Sequence, residues 1–193
     1  MIIPSRIIAL TIALAFLISG VLLRTAHAEQ TEDVKAGKLI LHIPTTWKKE
    51  SPSSRMRLLQ FRIPARGADQ EDAELAVFSF PGGGSVKQNI ERWIGQFAPA
   101  NREASLFQGK TKDGQYVLAD ISGTYKKPIG PPIAGRTKEV PGSRVLAVIL
   151  ESRGGVYYLK LVGPDKTVAA ESQRLRAAFD GNVAEEKPLS LGQ

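Results

Sequence analysis

The chain contains no cysteine among its 193 residues. Disulfide scaffolds, thiolate metal sites and lipoproteins that carry their lipid on a cysteine are therefore excluded. Its two histidines are His27 and His42, too few for a multi-histidine metal centre. Neither a Ser-x-x-Lys nor a Gly-x-Ser-x-Gly motif occurs, so nucleophilic catalysis has no recognisable signature. We expect no catalytic residue, no metal site and no cofactor.

One long apolar run, of 17 residues from Ile7 to Leu23, lies near the N-terminus. Arg6 precedes it and Ala26-His27-Ala28 follows, which is the basic, apolar, small order of a secretory signal peptide. We predict cleavage after residue 28 and a periplasmic or extracellular protein. The alternative is an uncleaved anchor, because the run approaches the length of a membrane-spanning helix.

The charge excess is modest. The formal net charge of +7 falls to +5 after cleavage, because Arg6 and Arg24 lie in the removed segment. Both signs are interspersed and no concentrated basic stripe with aromatics occurs, so we expect no nucleic-acid partner. The expected partner is a protein of the cell envelope, and membrane contact is expected only if the N-terminal segment is retained.

The remaining chain predicts a single α+β domain over residues 38–181. Strand patterns, alternating or continuously apolar, occupy 38–44, 56–64, 73–80, 105–110, 115–125, 144–151 and 156–162. Helical periodicity predicts a helix from Ser85 to about Phe97 and another from Asp165 to Phe179. The fold class is a twisted antiparallel sheet of about six or seven strands sandwiched by helices. Residues 29–37 are predicted to be flexible and 182–193 a disordered tail.

Four segments carry a family resemblance: Ile43-Pro44 followed by Trp47, Glu74–Phe78 before a glycine-rich turn, Asn89–Phe97, and Tyr158–Pro164. With this order of elements, the chain resembles the PsbP-like family, whose fold is shared by a Ran-binding nuclear import factor and by exported bacterial domains. The resemblance implies an accessory or binding protein without catalysis of its own. It does not imply a photosystem partner.

The first predicted helix offers the main candidate surface. Asn89, Arg92 and Gln96 form a narrow polar stripe beside Trp93, with a forked cation, two amides and a large ring. We interpret this stripe as a recognition edge; the alternative is that it ties the helix to a neighbouring loop.

The segment 126–142 offers a second surface. It contains four prolines and three glycines, so we expect irregular structure, and its length is typical of functional or mobile loops. Arg136 and Lys138 would contact a protein partner there, with disorder of the free loop as the alternative.

A weaker candidate is an anion site at Gly83, Gly84, Ser85 and Lys87, because backbone N–H groups at a helix start attract anions. Its spacing fits no phosphate-binding motif, and a turn with a helix cap is the competing interpretation.

Acidic residues leave two alternatives open. Asp120 lies in an otherwise apolar strand, where we expect a structural pair with a residue such as Lys160, and a carboxylate-dependent hydrolase is the runner-up function. The cluster of Asp69, Glu71, Asp72 and Glu74 lacks the ligand spacing of a calcium loop. A small-ligand carrier with a pocket between sheet and helix is the third possibility.

Overall fold

The computed structural model describes residues 30–80, 82–130 and 135–191. The predicted signal peptide lies outside the described residues, as do Pro81, 131–134 and 192–193. Within the described ranges, no helix is long and apolar enough to cross a membrane.

Antiparallel strands make up most of the described chain. Two of them, β1 (Thr31–Ala36) and β2 (Leu39–Pro44), pair as a separate hairpin. One sheet contains eight further strands: β3 (Lys48–Glu50), β4 (Arg57–Ile63), β5 (Ala73–Phe78), β6 (Glu103–Thr111), β7 (Gly114–Pro128), β8 (Thr137–Ser152), β9 (Gly155–Pro164) and β10 (Lys187–Pro188). Their order is β10-β6-β7-β8-β9-β5-β4-β3. The predicted antiparallel α+β architecture is confirmed, with eight strands and a hairpin rather than six or seven strands.

The helices flank the sheet, and the described part contains three: α1 (Val86–Ile94), α2 (Asp165–Ala170) and α3 (Ser172–Ala178). A capping box starts α1, because the Ser85 hydroxyl accepts from the Gln88 backbone N–H and the Gln88 side chain accepts from that of Ser85. The second predicted helix is divided at Glu171. The buried carboxylate of Glu171 accepts hydrogen bonds from Trp47 and Arg66.

Each face of the sheet carries a hydrophobic core. On the first face, residues of the β1–β2 hairpin, α2 and α3 pack with the strands, among them Leu41 and Leu175. On the second face, Ile90 and Phe97 from α1 and the turn after it pack with the strands. The run Val145–Leu150 of β8 is buried along its whole length because both faces of this central strand are covered, as its sequence predicts.

Two segments predicted to be loose take part in the fold. Residues 31–36 of the predicted flexible segment form β1, and the predicted disordered tail contributes a 3-10 turn (Val183–Glu185) and β10. The tail is held at Glu186, whose carboxylate accepts two hydrogen bonds from Arg176, at 2.7 and 3.0 Å. For the described residues both predictions are wrong. β1 is ordered by pairing with the adjacent strand β2, and the tail is ordered by the Arg176 ion pair and by pairing of β10 with β6.

The segment 126–142 is the largest correction. Instead of an irregular loop, its described residues mostly prolong β7 and β8, with Lys127 directly opposite Lys138. A bulge accommodates one proline and one glycine: Pro141 and Gly142 together lie opposite Thr124, and Gly142 has a φ of +65°. We call residues 124–130 together with 135–142 the arm.

Candidate functional site

The polar stripe predicted on α1 is divided between two roles. Asn89 is only 4% exposed; its amide donates to the backbone carbonyls of Gly83 and Ser85, at 2.8 and 3.1 Å. Its side-chain oxygen accepts from the Arg92 guanidinium at 2.7 Å. Trp93 is buried in the core of the second face. Asn89 and Trp93 therefore anchor the helix, and Arg92 is the exposed member of the stripe.

Gln96, the remaining residue of the polar stripe, contacts a cation that is largely buried. Its side-chain oxygen accepts a 2.6 Å hydrogen bond from the ammonium of Lys160 on β9. Lys160 also donates to the hydroxyl of Tyr125 at 3.0 Å, and its Nζ lies 5.1 Å from the centroid of the Tyr125 ring. In the sheet register, Lys160 lies between Ala76 and Ala147, whose small side chains leave room for it on the second face.

Further cations surround Lys160. Burial, followed by the positive charges of Arg92 and Arg57, lowers the pKa of Lys160 from 10.5 to about 8, and Glu74 acts in the opposite direction. Arg57 forms an ion pair with Glu74 at 2.8 Å. Three positive charges are thus grouped near one acid, Glu74. We call Arg57, Arg92 and Lys160 the cation cluster.

The Tyr125 hydroxyl complements the cluster as a hydrogen-bond donor. Burial, followed by the charge of Glu74, raises the pKa of Tyr125, while Arg57 opposes this. The hydroxyl therefore stays protonated at neutral pH. Its oxygen accepts from Lys160, and a hydroxyl that accepts one hydrogen bond can also donate one, so Tyr125 can donate to an anionic ligand. Ammonium, guanidinium and phenol groups together make an environment that suits a carboxylate or a phosphate.

The arm continues the same face of the sheet. Strand residues two apart share a face, so Lys127 follows Tyr125, and its cross-strand partner Lys138 lies beside it. Arg136 continues this alternation beyond Lys138, where its carbonyl accepts from the Ile129 N–H at 3.0 Å. The predicted surface residues Arg136 and Lys138 are exposed, and the structure places them on the face to which Arg92 and Gln96 also belong. We call the cation cluster together with Lys127, Lys138 and Arg136 the basic face.

The glycine-rich segment before α1 is used mainly for structure. The backbone N–H groups of Gly84, Ser85 and Gln88 all have acceptors within the segment. Gly83 lies against Tyr158 so closely that an added Cβ would overlap its ring and hydroxyl. The turn and cap account for Gly83, Gly84 and Ser85, while anion binding there, with Lys87, stays a prediction.

Asp120 has a different partner from the expected one. It accepts from Arg144 at 2.6 and 3.2 Å, and Arg144 also donates to Asp165 at 3.0 Å. Lys160 lies on the opposite face, because Asp120 aligns with Leu146 whereas Lys160 aligns with Ala147. The expected Asp120–Lys160 pair is therefore wrong, and this acid joins β7, β8 and α2.

The acidic cluster before β5 is also bound internally. Asp69 accepts from the hydroxyl and the backbone N–H of Thr167, and Asp72 forms an ion pair with Arg62. Over residues 30–80, 82–130 and 135–191, no group of three or more histidine, aspartate or glutamate side chains could hold a metal ion.

A cavity of about 530 Å³ lies at the other end of β7, away from the arm. Val86, Val117 and Ile149 supply apolar walls, and the charged residues Lys110, Glu151, Glu185 and Lys187 also line it. The cavity is bordered by the start of α1, the sheet and the C-terminal segment, which is close to the position that the carrier alternative requires.

The sequence patterns did not identify Arg57 or Lys127 as residues of a candidate site. They predicted Lys160 only as a structural partner of Asp120. A signal for Lys160 exists, because it is the only charged residue in the strand pattern 156–162. No local pattern shows that Arg57 lies near it, since that proximity depends on the pairing of β5 with both β4 and β9.

Neither a scan of protein-family models nor a search of curated proteins finds a match. Among solved structures, the chain is similar to the solution structure of cyanobacterial PsbP (CyanoP) from Synechocystis sp. PCC 6803. The TM-score is 0.44 and the identity 13%, with 86% of this chain and 96% of that chain covered. We draw no functional argument from a likeness of this size. Membership of the PsbP-like family stays a prediction.

Proposed function

We propose that this protein is an exported, non-catalytic binding protein that recognises anionic groups of its partner through the basic face. The observation that carries the proposal is the position of Lys160, a partly buried ammonium whose hydrogen-bond partners, Gln96 and Tyr125, are uncharged. The charges that act on it are those of Arg57 and Arg92, against the one acid Glu74. A buried cation is costly for folding unless a ligand or a neighbour balances its charge. Carboxylates and phosphates supply that balance.

Binding fits this chemistry better than catalysis. With a pKa of about 8, Lys160 is mostly protonated at neutral pH, and the two guanidinium groups are always charged. Tyr125 stays protonated as well, so these groups act as hydrogen-bond donors. Asp120, the acid singled out for the hydrolase alternative, is bound by Arg144.

Export is part of the proposal because the N-terminal segment has the order of a signal peptide. We expect the protein recovered from outside the cytoplasm to begin at Glu29, which N-terminal sequencing would show. Recovery of a chain that still begins at Met1 would contradict cleavage and favour the membrane-anchored alternative.

The anion-binding proposal can be tested with two labelled probes, polyglutamate for carboxylates and polyphosphate for phosphates. We expect at least one of them to bind the wild-type chain, with an affinity that falls as salt is added. The double variant Lys160→Met, Arg92→Gln should bind roughly tenfold more weakly, because each substitution removes a charge-assisted hydrogen bond. Fluorescence anisotropy gives the affinities.

The matched control is Lys35→Met, Lys112→Gln, which removes the same charge from exposed positions outside the basic face. Equal weakening in both double variants would show a nonspecific effect of net charge and contradict the proposed site.

The cavity at the end of β7 favours a second candidate function, a carrier of a small ligand. If this is correct, filling the cavity with Val117→Trp should abolish ligand uptake and leave polyanion binding unchanged. Mass spectrometry of the protein purified under native conditions would detect a bound small molecule.

A further inference from the structure

We propose that the arm docks on an anionic phospholipid bilayer. This inference rests on the proposed function, in that the lipid phosphates are the anionic groups that the basic residues of the arm contact. It adds the class of partner and the part of the molecule that reaches it.

The arm extends beyond the rest of the sheet. β6 pairs with β7 only as far as Ser122, and β9 pairs with β8 only from Ser143 onward. Past these residues, the outer edge of β7 bonds with the turn after α1, where Ala98 donates to Thr124 and Lys126 donates to Gln96. The end of the arm is exposed from residue 127 to 130 and again from 135 to 139.

The charges of the arm are unbalanced. It carries Lys126, Lys127, Arg136 and Lys138 against the single acid Glu139. Glu139 lies opposite Lys126 in the register, but within the part of the chain that the structure describes no carboxylate is within ion-pair distance of any of these four cations. Like charges directly opposite each other destabilise a strand pair, so the position of Lys127 across from Lys138 works against folding. The pair becomes favourable when an anionic surface lies against it.

An apolar residue completes the pattern. Ile129 is 42% exposed and follows Lys127 on the same side of the strand. A basic segment with an apolar side chain at its end suits the boundary between lipid headgroups and acyl chains, where cations meet phosphates and the apolar group is buried.

Lipid fits better than a protein partner for reasons of size. A stable protein interface buries roughly 800 Å² on each side, contributed by about 20 residues or more. The arm is a two-stranded ribbon with 15 described residues, and three of the nine exposed residues at its end are long, flexible cations. Docking on a bilayer needs no shape complementarity, only charge and a small area of apolar contact.

The test measures binding of the chain from Glu29 to phosphatidylcholine vesicles with about one third phosphatidylglycerol, a content that gives a negative surface. This chain retains the described domain, because both core clusters lie between Val34 and Leu191.

The arm variant is Lys127→Ala, Lys138→Ala, and the matched control is Lys35→Ala, Lys112→Ala. A third variant, Ile129→Trp, places a fluorophore at the end of the arm, while the native Trp47 and Trp93 are buried.

We expect the arm variant to bind these vesicles about 25-fold more weakly, roughly fivefold for each basic residue removed, and the control to keep most of its affinity. Binding of the wild type should decline as salt is added and should be absent with pure phosphatidylcholine. In the Ile129→Trp variant, the emission of the introduced tryptophan should shift to shorter wavelength on binding, since its indole leaves water.

Three results would overturn the inference. One is equal vesicle binding by the arm variant and the wild type, and another is no shift of the introduced tryptophan on binding. The third is no vesicle binding by a wild-type chain that still binds polyglutamate or polyphosphate, in which case anion recognition stands and an acidic protein becomes the expected partner. A wild-type chain that binds neither vesicles nor polyanions would contradict the proposed function as well.

Discussion

At the scale of the residue, Lys160 places a charge where an apolar side chain would stabilise the fold, a cost that the proposed function explains. On its strand, the residues two before and two after it, Tyr158 and Val162, pack with the core of the second face. An apolar residue in its place would continue that pattern. The ammonium instead has Gln96 and Tyr125 as partners, and neither of them carries a compensating negative charge.

We therefore predict that Lys160→Met raises the free energy of unfolding at pH 7 by about 1 to 3 kcal/mol, because it removes the cost of burying a charge. Between pH 8 and 10.5, the unfolded wild type keeps the Lys160 proton while the folded protein loses it. The stability contribution of Lys160 thus rises with pH in this range. The difference between variant and wild type should be largest below pH 8 and shrink toward pH 10.5.

Urea unfolding followed by circular dichroism, at several pH values, measures these differences. Lys166→Met, which makes the same substitution at an exposed position, serves as the control. A constant difference between Lys160→Met and the wild type over the whole range would contradict a lowered pKa in the folded protein.

At the scale of elements, the C-terminal segment is bound by one buried ion pair. The side chains of Arg176 and Glu186 are 7% and 5% exposed, and Glu186 also accepts from the Tyr116 hydroxyl at 2.7 Å. Burial, together with the negative charge of Glu186, raises the pKa of Tyr116. This cluster joins α3, β7 and the tail.

We predict that Glu186→Gln lowers the free energy of unfolding by about 2 to 4 kcal/mol, because Arg176 would stay buried without its counter-charge. The neighbouring Glu185 is exposed, so Glu185→Gln should change stability by less than about 0.5 kcal/mol. Thermal or urea unfolding distinguishes the two. Equal stability of both variants would mean that the tail contributes little to the fold.

The elements that could be predicted from sequence are those with a local pattern. Helix α1 has Ser85 as its cap and an apolar stripe that includes Ile90 and Trp93, and central strand β8 has its continuous apolar run. The arm could not be predicted, because its prolines and glycines favour a loop unless a bulge accommodates them. The tail depends on Arg176, a helix residue whose need for a partner ten residues later no local pattern reveals.

The candidate site was predictable only in part. Arg92, Gln96, Arg136 and Lys138 belong to one face, and periodicity singled out the first two while composition singled out the others. Their common face depends on strand pairing: Tyr125, at the base of the arm, contacts Lys160, which contacts Gln96. The residues in these two contacts are separated in sequence by 35 and by 64 positions, which is beyond the range of any helical or strand period.

At the scale of the whole molecule, the two outer strands of the sheet determine whether copies of the chain can join. β10 covers part of β6, where Lys187 and Pro188 pair with Gln108 and Phe107, and Leu189 donates to Leu106. At the opposite edge, β3 is three residues long and carries the exposed Lys48 and Lys49. Short, charged or covered edges hinder association of sheets.

We predict that a chain ending at Glu186 self-associates, because it keeps the ion pair with Arg176 but leaves β6 uncovered. Sedimentation velocity should give a larger average mass for the truncated chain than for the full domain at equal concentration. An identical mass, with unchanged thermal stability, would show that β10 does not protect this edge.

The covered edges also restrict how the protein can recognise another molecule. Many binding domains capture a peptide by letting it continue their sheet as an extra strand, which uses backbone hydrogen bonds and is tolerant of sequence. Here one edge is occupied by the chain's own C-terminal segment and the other is short and lysine-rich, so strand addition is disfavoured at both. If the proposed function is correct, recognition is left to side chains, and the choice of partner depends on the placement of the cations on the basic face.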